Sequence, residues 1–469
     1  MTEGTGAEHG HVHAPSPQRE HRQRTRRRLA GSAGGLIGAA AAACGASGGA
    51  DDQRQQGQPT LVRGPTQITW TFWATQDNLH FFEKTARAFE QQFPQVKVET
   101  SWVTGAYAEK IIAMVTGGTP PDAMATTRPI APGWAIQGIT LALDPYLQRG
   151  GFREADYFPN AVSPWRYGGR LYALPREVDS WTLWYNRRAF DEAGIKPPDE
   201  TWTWETFVDR AQRLTKREGG TPQYGFFPAA FTHKLWVAVG AQNGAKLYDR
   251  EALPTRLLVN QPAVTDALQW VADLRHKWRV LPTDEEVAQV PNASATTLFQ
   301  GGRIATMLGE STNATRFADT IKDFAYDVAV PPKGRQHGTW LGGACYTVPK
   351  STSKREAGVQ FVMFISGPDG QRIIAEERFG TPAIKRVAES DVFLKTPPPA
   401  NKRALRQAFD WGAGPPMTPV FADVEAALAA ELTQTWAGRR LAKDSVAAAW
   451  PKVEDLMRQA QEMARQLAQ

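Results

Sequence analysis

The chain has 469 residues, of which 42% are hydrophobic and 22% charged, and its formal net charge is +6. That length is too great for one ordinary hydrophobic core and predicts two lobes. Residues 1–43 supply +3 through six arginines and three acidic residues, so the remaining 48 basic and 45 acidic residues also give +3. A nearly neutral body without a basic stripe argues against a nucleic-acid-binding protein.

Residues 1–43 are predicted to be an export signal rather than part of the fold. Adjacent arginines, Arg26 to Arg28, precede a weakly apolar run of mostly Ala and Gly that ends at Ala43. The run is too short and too mild to span a membrane, and the paired arginines resemble a twin-arginine export signal. An exported protein is therefore expected.

Cys44 follows three alanines, as at a lipoprotein processing site, although Ala41 stands where bacterial lipoproteins usually carry a large aliphatic residue. The pattern predicts a lipid anchor at Cys44 that holds the protein on the extracytoplasmic side of the cell membrane. A soluble exported protein, cut near the same alanines, is the alternative. Residues 44–66, rich in Gly, Asp, Gln and Pro, are predicted to be a flexible tether.

The second cysteine, Cys345, lies in the apolar run Ala344–Val348 and is predicted to be a buried, inert strand residue. With Cys44 acylated, no disulfide is expected. The sequence has no metal-ligand spacing, and each of the four histidines outside the leader stands alone. We therefore expect no metal and no cofactor.

From residue 67 onward, strand and helix patterns alternate along the chain, as expected for an α/β fold. Strands are predicted at 68–73, 96–102, 122–127, 171–174, 181–185, 224–227, 303–308, 326–330 and 341–348. Helices are predicted at 79–93, 107–116, 188–193, 204–217, 231–239, 262–278, 295–300, 354–365, 368–378, 423–436 and 445–467. Pro175, which fixes φ and removes a sheet donor, predicts a crossing between lobes.

Eight different short motifs follow one another from about Gln67 to the C-terminus. They are Gly118-x-Pro120-Pro121-Asp122, Leu143-Asp144-Pro145-Tyr146, Leu174-Pro175, Tyr185-Asn186-Arg187, Thr201-Trp202, Phe299-x-Gly301-Gly302-Arg303, Gly342-Gly343 and Trp436-x-Gly438. Together they resemble the extracellular sugar-binding lipoproteins of bacterial ABC importers. The resemblance implies a two-lobed periplasmic-binding-protein fold, with several interlobe crossovers and a ligand cleft between the lobes.

The resemblance places residues 67–175 and 309–347 in lobe 1, and residues 176–308 and 348–469 in lobe 2. Such proteins close around a ligand by hinge bending and hold it at the lobe interface. The implied partners are a small-molecule carbohydrate, a pair of permease subunits and an ATPase. The protein itself is expected to be a monomer and not an enzyme.

Six candidate ligand contacts come from comparison with the family member that binds glycerol-phosphate compounds: Tyr107, Arg128, Asp179, Glu310, Gly343 and Thr381. Tyr107 and Gly343 match that member in residue type. Arg128 replaces a Glu and Thr381 a Tyr, while Asp179 and Glu310 replace serines. Two acidic acceptors in place of hydroxyl donors suit sugar hydroxyls better than a phosphodiester. A neutral polyhydroxylated sugar is therefore the expected ligand.

Four tryptophans near loops that border the cleft are further candidates: Trp73, Trp181, Trp236 and Trp411. Two or three of them are expected to stack on the ligand. Core packing is the alternative for Tyr107, and a solvated cleft rim for the charged residues.

Two other functions stay open at this point. A polyamine, a peptide or a glycerol-phosphate compound could be the solute instead of a sugar. Asp179 and Glu310 could be the carboxylate pair of a glycoside hydrolase, but nothing else in the sequence supports catalysis, so no catalytic residue is predicted.

Overall fold

The computed structural model describes residues 62, 64–218 and 221–467. The predicted export signal, Cys44 and nearly all of the predicted tether lie outside these residues. The described part of the chain folds into two β-sheets and a two-stranded ribbon, with helices packed on the sheets.

Thirteen strands are numbered in chain order. They are β1 Thr66–Phe72, β2 Val96–Trp102, β3 Ala123–Thr127, β4 Arg166–Tyr167, β5 Arg170–Leu171, β6 Leu174–Pro175, β7 Asp179–Asn186, β8 Tyr224–Pro228, β9 Ile304–Glu310, β10 Tyr326–Ala329, β11 Thr339–Gly342, β12 Ala344–Thr347 and β13 Gly412–Ala413.

The α-helices of the described residues are numbered in the same way. They are α1 Leu79–Gln92, α2 Tyr107–Thr116, α3 Ala131–Ile136, α4 Asp144–Leu147, α5 Pro159–Val162, α6 Arg187–Glu192, α7 Trp204–Leu214, α8 His233–Gln242, α9 Pro262–His276, α10 Asp284–Ala288, α11 Ala295–Gln300, α12 Asn313–Thr320, α13 Arg355–Ser366, α14 Pro368–Glu376, α15 Lys385–Ala388, α16 Asp391–Leu394, α17 Lys402–Asp410, α18 Phe421–Trp436 and α19 Ala442–Leu467.

The first sheet has the strand order β2-β1-β3-β12-β6. Its first three strands are parallel, because a helix connects each to the next, whereas β12 runs antiparallel to both β3 and β6. Helices α1 and α13 pack on this sheet or on each other. We call this sheet, with the helices that pack on it, the first lobe.

The second sheet has the order β13-β11-β7-β9-β8, and β10 pairs with the far end of β7. All eight residues of β7 are buried, as expected for a central strand covered on both faces. Helices α8 and α17 pack on β11, and α7 packs on β8. We call this sheet and its helices the second lobe.

The chain passes between the two sheets twice within very few residues. Residues 176–178 join β6 to β7, and Gly343 alone joins β11 to β12. Gly343 has a φ of +115°, a conformation that other residues rarely adopt, and a Cβ there would collide with the carbonyl oxygen of Glu177. The expected single strand 341–348 is therefore wrong, because Gly343 divides it between the sheets.

The strand pairing also differs from the predicted division of the chain into lobes. The sequence predicts residues 326–342 in lobe 1, but β10 and β11 hydrogen-bond to β7 of the second sheet. It predicts residues 355–376 in lobe 2, but α13 packs on β12, β3 and β6, and α14 packs on α13 and α1. Hydrophobic periodicity specifies an element and its buried face, but it does not specify the sheet that the element joins.

The core of the first lobe is centred on Trp70, which is fully buried. Its ring centroid lies 4.9 Å from that of Phe361 on α13, 5.4 Å from Phe82 on α1 and 5.5 Å from Tyr346 on β12. The Trp70 side chain on β1 therefore packs against both covering helices, α1 and α13, and against β12 of the same sheet. Loss of this ring would leave a cavity at the point where they meet.

We expect Trp70→Ala to lower the free energy of unfolding by about 3–5 kcal/mol, because large-to-small changes in a packed core remove contacts and leave a void. Urea denaturation followed by circular dichroism would measure the loss. Trp102→Ala is the matched control, since Trp102 is 39% exposed and its removal should cost only about 0.5 kcal/mol. Equal losses in the two variants would contradict the assignment of Trp70 as the centre of the core.

Candidate functional site

A cavity of about 450 Å³ lies between the two sheets, next to both crossings. Its walls come from the residues that follow β1 and β3, from the crossing residues and from the facing ends of β7, β9 and β11. The lining residues are Trp73, Asn78, Thr127, Arg128, Pro129, Arg176, Glu177, Asp179, His233, Lys234, Thr296, Glu310, Thr312, Asn313, Arg316, Trp340, Gly342, Gly343, Ala344 and Pro415.

Another cavity of about 310 Å³ lies on the first lobe beside α13, where Tyr146, Met363 and Phe364 line it. Its walls hold none of the sequence-predicted contact residues. The interlobe cavity combines aromatic, charged and amide side chains from both lobes, which is the usual composition of a small-molecule site. We therefore treat the interlobe cavity as the candidate site.

Two tryptophans face the cavity from opposite lobes. Trp73 follows β1 and stands edge-on to Tyr107, with ring centroids 4.9 Å apart. The hydroxyl of Tyr107 donates to the carbonyl oxygens of Thr71 and Ala125, so this ring is fixed and in turn fixes Trp73. Trp340 on β11 has the Lys234 ammonium 4.7 Å from its ring centroid, a favourable cation–π distance.

Two carboxylates line the wall of the second lobe. Asp179 Oδ1 accepts hydrogen bonds from the backbone N–H of Ser311 at 2.8 Å and from its hydroxyl at 2.7 Å. Glu310 Oε1 accepts a hydrogen bond from Lys234 Nζ at 2.7 Å. Both carboxylates are therefore held in place by groups of the second lobe before any ligand arrives.

The two carboxyl groups titrate differently. Burial, together with the nearby charge of Glu310, raises the pKa of Asp179 to about 7, although the Ser311 hydroxyl opposes this shift. Burial also disfavours ionised Glu310, but the positive charge of Lys234 outweighs it and lowers the Glu310 pKa. Near neutral pH, Glu310 and Lys234 thus form an ion pair, while Asp179 is present in both its protonated and its ionised form.

The crossing between the lobes carries a second ion pair, which is buried and formed by neighbouring residues. Arg176 donates from both Nε and Nη2 to the carboxylate of Glu177. Glu177 Oε1 also accepts the backbone N–H of Ala344 at 3.0 Å, which ties one crossing to the other. The Arg176 guanidinium lies 4.9 Å from the ring centroid of Phe379 and 5.7 Å from that of Trp73.

Half of the sequence-predicted contacts line the cavity, namely Trp73, Arg128, Asp179, Glu310 and Gly343. The structure places Arg128 directly after β3, Asp179 at the start of β7 and Glu310 at the end of β9. The fold thus brings three strand ends to the cavity, one from the first sheet and two from the second.

The other half do not line the cavity: Tyr107, Trp181, Trp236, Thr381 and Trp411. Trp181 and Trp236 are buried in the core of the second lobe. Tyr107 lies behind Trp73, and Trp411 stacks on His337 at 4.1 Å. Thr381 is buried, and its backbone exchanges two hydrogen bonds with Val178 beside the crossing.

Several lining residues were missed by the sequence-based prediction, notably Arg176, Glu177, His233, Lys234 and Trp340. A signal existed for Trp340, because it precedes the glycine pair Gly342-Gly343 in a strand that ends at the crossing. His233 and Lys234 begin α8 and carried no such signal. Only the folded arrangement brings the start of that helix to the cavity.

Among the described residues, no group of three or more His, Cys, Asp or Glu side chains could hold a metal ion. None of the helices in the described ranges is both long and apolar enough to cross a membrane.

Comparison with known proteins gives a consistent result. The family model described as bacterial extracellular solute-binding protein matches residues 84–401, more than half of the chain. An arabinooligosaccharide-binding protein of Bacillus subtilis is 24% identical over 331 residues, which are 65% of this chain and 70% of that protein. An sn-glycerol-3-phosphate-binding periplasmic protein of Brucella abortus is 24% identical over 358 residues, or 71% of this chain and 79% of that protein.

Solved structures with the same fold include an ABC substrate-binding protein from Listeria monocytogenes in complex with cycloalternan. It has a TM-score of 0.75 at 22% identity, and the match covers 85% of this chain and 99% of that one. A Mycobacterium tuberculosis protein in complex with glycerophosphocholine has a TM-score of 0.72 at 18% identity, with 85% and 99% coverage. These likenesses confirm the predicted two-lobed α/β fold.

The Asp179 pKa predicts a pH dependence of stability. Between the ordinary carboxyl value of 3.8 and about 7, the folded protein keeps a proton on Asp179 that the unfolded chain releases, so stability from this group falls as pH rises through that window. Asp179→Asn removes the effect and keeps an oxygen that accepts from Ser311. The unfolding free energy of the variant minus that of wild type should therefore be about 2–4 kcal/mol larger at pH 8 than at pH 4.

Urea denaturation at both pH values would measure this gain. Asp249→Asn is the control with the opposite sign: burial opposes ionisation of Asp249, but its hydrogen bonds from Thr255 and nearby backbone amides lower the pKa. Stability from Asp249 is present above the ordinary carboxyl pKa of 3.8 and is lost only as pH falls below it, so Asp249→Asn should differ from wild type by nearly the same amount at pH 4 and at pH 8. If the two variants showed the same pH trend, the environment assigned to Asp179 would be wrong.

Proposed function

This chain belongs to the bacterial extracellular solute-binding proteins, and from that premise we propose that it is the binding component of an ABC importer that captures a sugar or oligosaccharide between its lobes. Membership of the family confirms the resemblance inferred from the sequence motifs. It also confirms the prediction of a binding protein rather than an enzyme. The finer assignments below are the content of the proposal.

The observation that carries the sugar assignment is the pair of tryptophans on opposite sides of one cavity. Sugar rings present flat C–H faces that pack against indoles, and hydroxyls at their edges that need hydrogen-bonding partners. Trp73 and Trp340 supply the faces, and Asp179, Glu310 and Asn313 line the same cavity as polar partners. Charged acceptors make the stronger hydrogen bonds to hydroxyl groups.

The cations of the cavity support a neutral sugar over a phosphodiester. Lys234 is paired with Glu310, and Arg176 with Glu177. Arg128 is paired with Glu251 at 3.2 Å. A phosphodiester that bound one of these three cations would have to displace its carboxylate, whereas a neutral sugar can bind while the three ion pairs stay intact.

The carboxylates support binding rather than hydrolysis. A glycoside hydrolase needs one carboxyl group free to donate a proton and another free to attack or to activate water. In this cavity Glu310, the ionised member of the pair, is held by Lys234, so no unpaired carboxylate is left to attack or to activate water. The arrangement suits fixed acceptors for ligand hydroxyls.

We place the protein outside the cytoplasmic membrane, anchored by a lipid on Cys44, with residues 44–66 as the tether. A permease pair and an ATPase would receive the ligand when the lobes open. The sequence pattern around Cys44 and the family description, which is that of an extracellular protein, support this location. Hinge bending at the crossings would provide the closure, with the protein acting as a monomer.

Isothermal titration with arabinotriose, maltotriose, glycerophosphocholine and spermidine tests the ligand class. We expect stoichiometric binding of at least one sugar, no sugar turnover, and weak or no binding of the other two compounds. Tight binding of glycerophosphocholine or spermidine without sugar binding would overturn the assignment.

Trp73→Ala should weaken binding of that sugar about tenfold or more, because losing one stacked indole face removes about 1.4 kcal/mol or more. Trp411→Ala is the matched control: Trp411 is also half-buried but stacks on His337 outside the cavity, and its affinity should stay near wild type. Equal effects of the two changes would show that general destabilisation, not stacking, sets the affinity.

Lipid attachment is tested by growing the producing cells with radiolabelled palmitate. We expect label on the wild-type protein and none on Cys44→Ser, whereas Cys345→Ser should label normally, since Cys345 is fully buried. Unlabelled wild-type protein released from the cells would favour a soluble exported form.

A further inference from the structure

We propose that Arg128 and Glu251 form a latch that holds the two lobes together across the cleft and so sets how far the cavity closes. The inference deepens the proposed function and rests on it, because closure matters only if the cavity takes a ligand. It assigns a positioning role to Arg128, which also lines the cavity.

Arg128 belongs to the first lobe but ends in the second. It directly follows β3, and its Nη2 donates to the carbonyl oxygen of Asn160 on α5 at 2.6 Å. Its Nη1 donates to Glu251 Oε1 at 3.2 Å. Glu251 lies between α8 and α9 of the second lobe, so one guanidinium joins the two lobes. The side chain of Arg128 is only 2% exposed.

The second lobe packs closely around this guanidinium. Gly414 lies so close that a Cβ at that position would come within 2.5 Å of Arg128 Nη1. The hydroxyl of Tyr248 donates to the carbonyl oxygen of Gly414 at 3.2 Å, and Ala252 forms a bridge with Met417. The loop that carries Glu251 is therefore tied to the loop that follows β13.

A neighbouring hydrogen bond spans the lobes in the same direction. Asn160, which accepts from Arg128, donates from Nδ2 to the carbonyl oxygen of Phe409 on α17 at 3.1 Å. Helix α17 packs on β7, β10 and β11 of the second lobe. The latch is thus part of a small polar contact between lobes and not an isolated surface ion pair.

Glu251, one partner of the latch, lies outside the cavity lining, so it can be changed without changing the cavity. Both guanidinium donors described above are already used by the protein, and Glu251 is absent from the cavity lining. When the lobes part, Arg128 and Glu251 separate and each regains water. The pair therefore favours the closed state by its own interaction, and a ligand that needs closure binds more tightly because of it.

Glu251→Gln removes the negative charge and leaves the cavity lining unchanged. Interlobe distance can be followed by electron–electron double resonance, with spin labels on Glu109→Cys and Lys196→Cys, exposed positions on the first and second lobes. Cys44→Ser provides the background, and the buried Cys345 stays unlabelled. In ligand-free wild type we expect a short-distance component, and in Glu251→Gln a distribution shifted to longer distances.

Gly414→Ala is the second variant, since its methyl group would displace the end of Arg128 without changing any charge. It should shift the distances in the same direction as Glu251→Gln. Glu431→Gln is the matched control, because Glu431 pairs with Arg440 within the second lobe and its side chain is 36% exposed, close to the 34% of Glu251. The control should leave the distribution unchanged.

Arabinotriose titration provides the second readout. We expect both latch variants to bind about tenfold more weakly than wild type, by the population argument that apparent affinity scales with the closed fraction. Distance distributions in both variants that equal wild type would overturn the latch. If wild type binds no sugar but the distances still shift, the ligand assignment fails and the latch stands, so the two failures are distinguishable.

Discussion

The structure depends on how one chain passes between two sheets while two charged side chains are buried at the crossing. Arg176 and Glu177 are both buried there, and such charges are costly unless each is paired and hydrogen-bonded. They pair with each other, and Glu177 also accepts the amide of Ala344 from the second crossing. The side-chain amide of Gln371 on α14 completes the set by donating to the carbonyl oxygen of Arg176.

This crossing also decides where the cavity lies and what lines it. Strands from both sheets end beside it, so side chains that follow β1 and β3 face those on β7, β9 and β11. The site therefore mixes two lobes in one cavity and carries its own neutralised charges, such as Lys234 with Glu310. At the proposed site, a ligand would meet acceptors whose positions are already set, which lowers the cost of ordering them on binding.

Much of this arrangement is visible in the sequence, because it rests on local patterns. Alternation in Ile68–Phe72 and the helical face of Phe82, Ala86 and Phe89 predict β1 and α1 within a few residues. Comparison with the family member that binds glycerol-phosphate compounds predicts Asp179 and Glu310 as ligand contacts, and both line the cavity. The remaining features depend on tertiary contacts: Trp181, two residues after Asp179 in β7, is fully buried in the core and does not line the cavity.

The most instructive failure concerns Gly343, where a run that reads as one strand serves two sheets. No local pattern encodes that division, since every residue of both strands is buried and apolar runs look alike in either sheet. The same limit explains the misplaced assignment of residues 326–342. Lys234 was missed for a related reason, because the start of α8 approaches the cavity only after the second sheet has formed.

Two crossings this short, joined to each other through Glu177 and Ala344, leave the lobes little freedom to slide. In the proposed hinge motion, the lobes would rotate about a line that runs through these two crossings. Side chains near that line keep their neighbours throughout the movement, whereas contacts far from it are made and broken. A change at Gly343 would therefore alter the direction of the motion itself, whatever ligand fills the cavity.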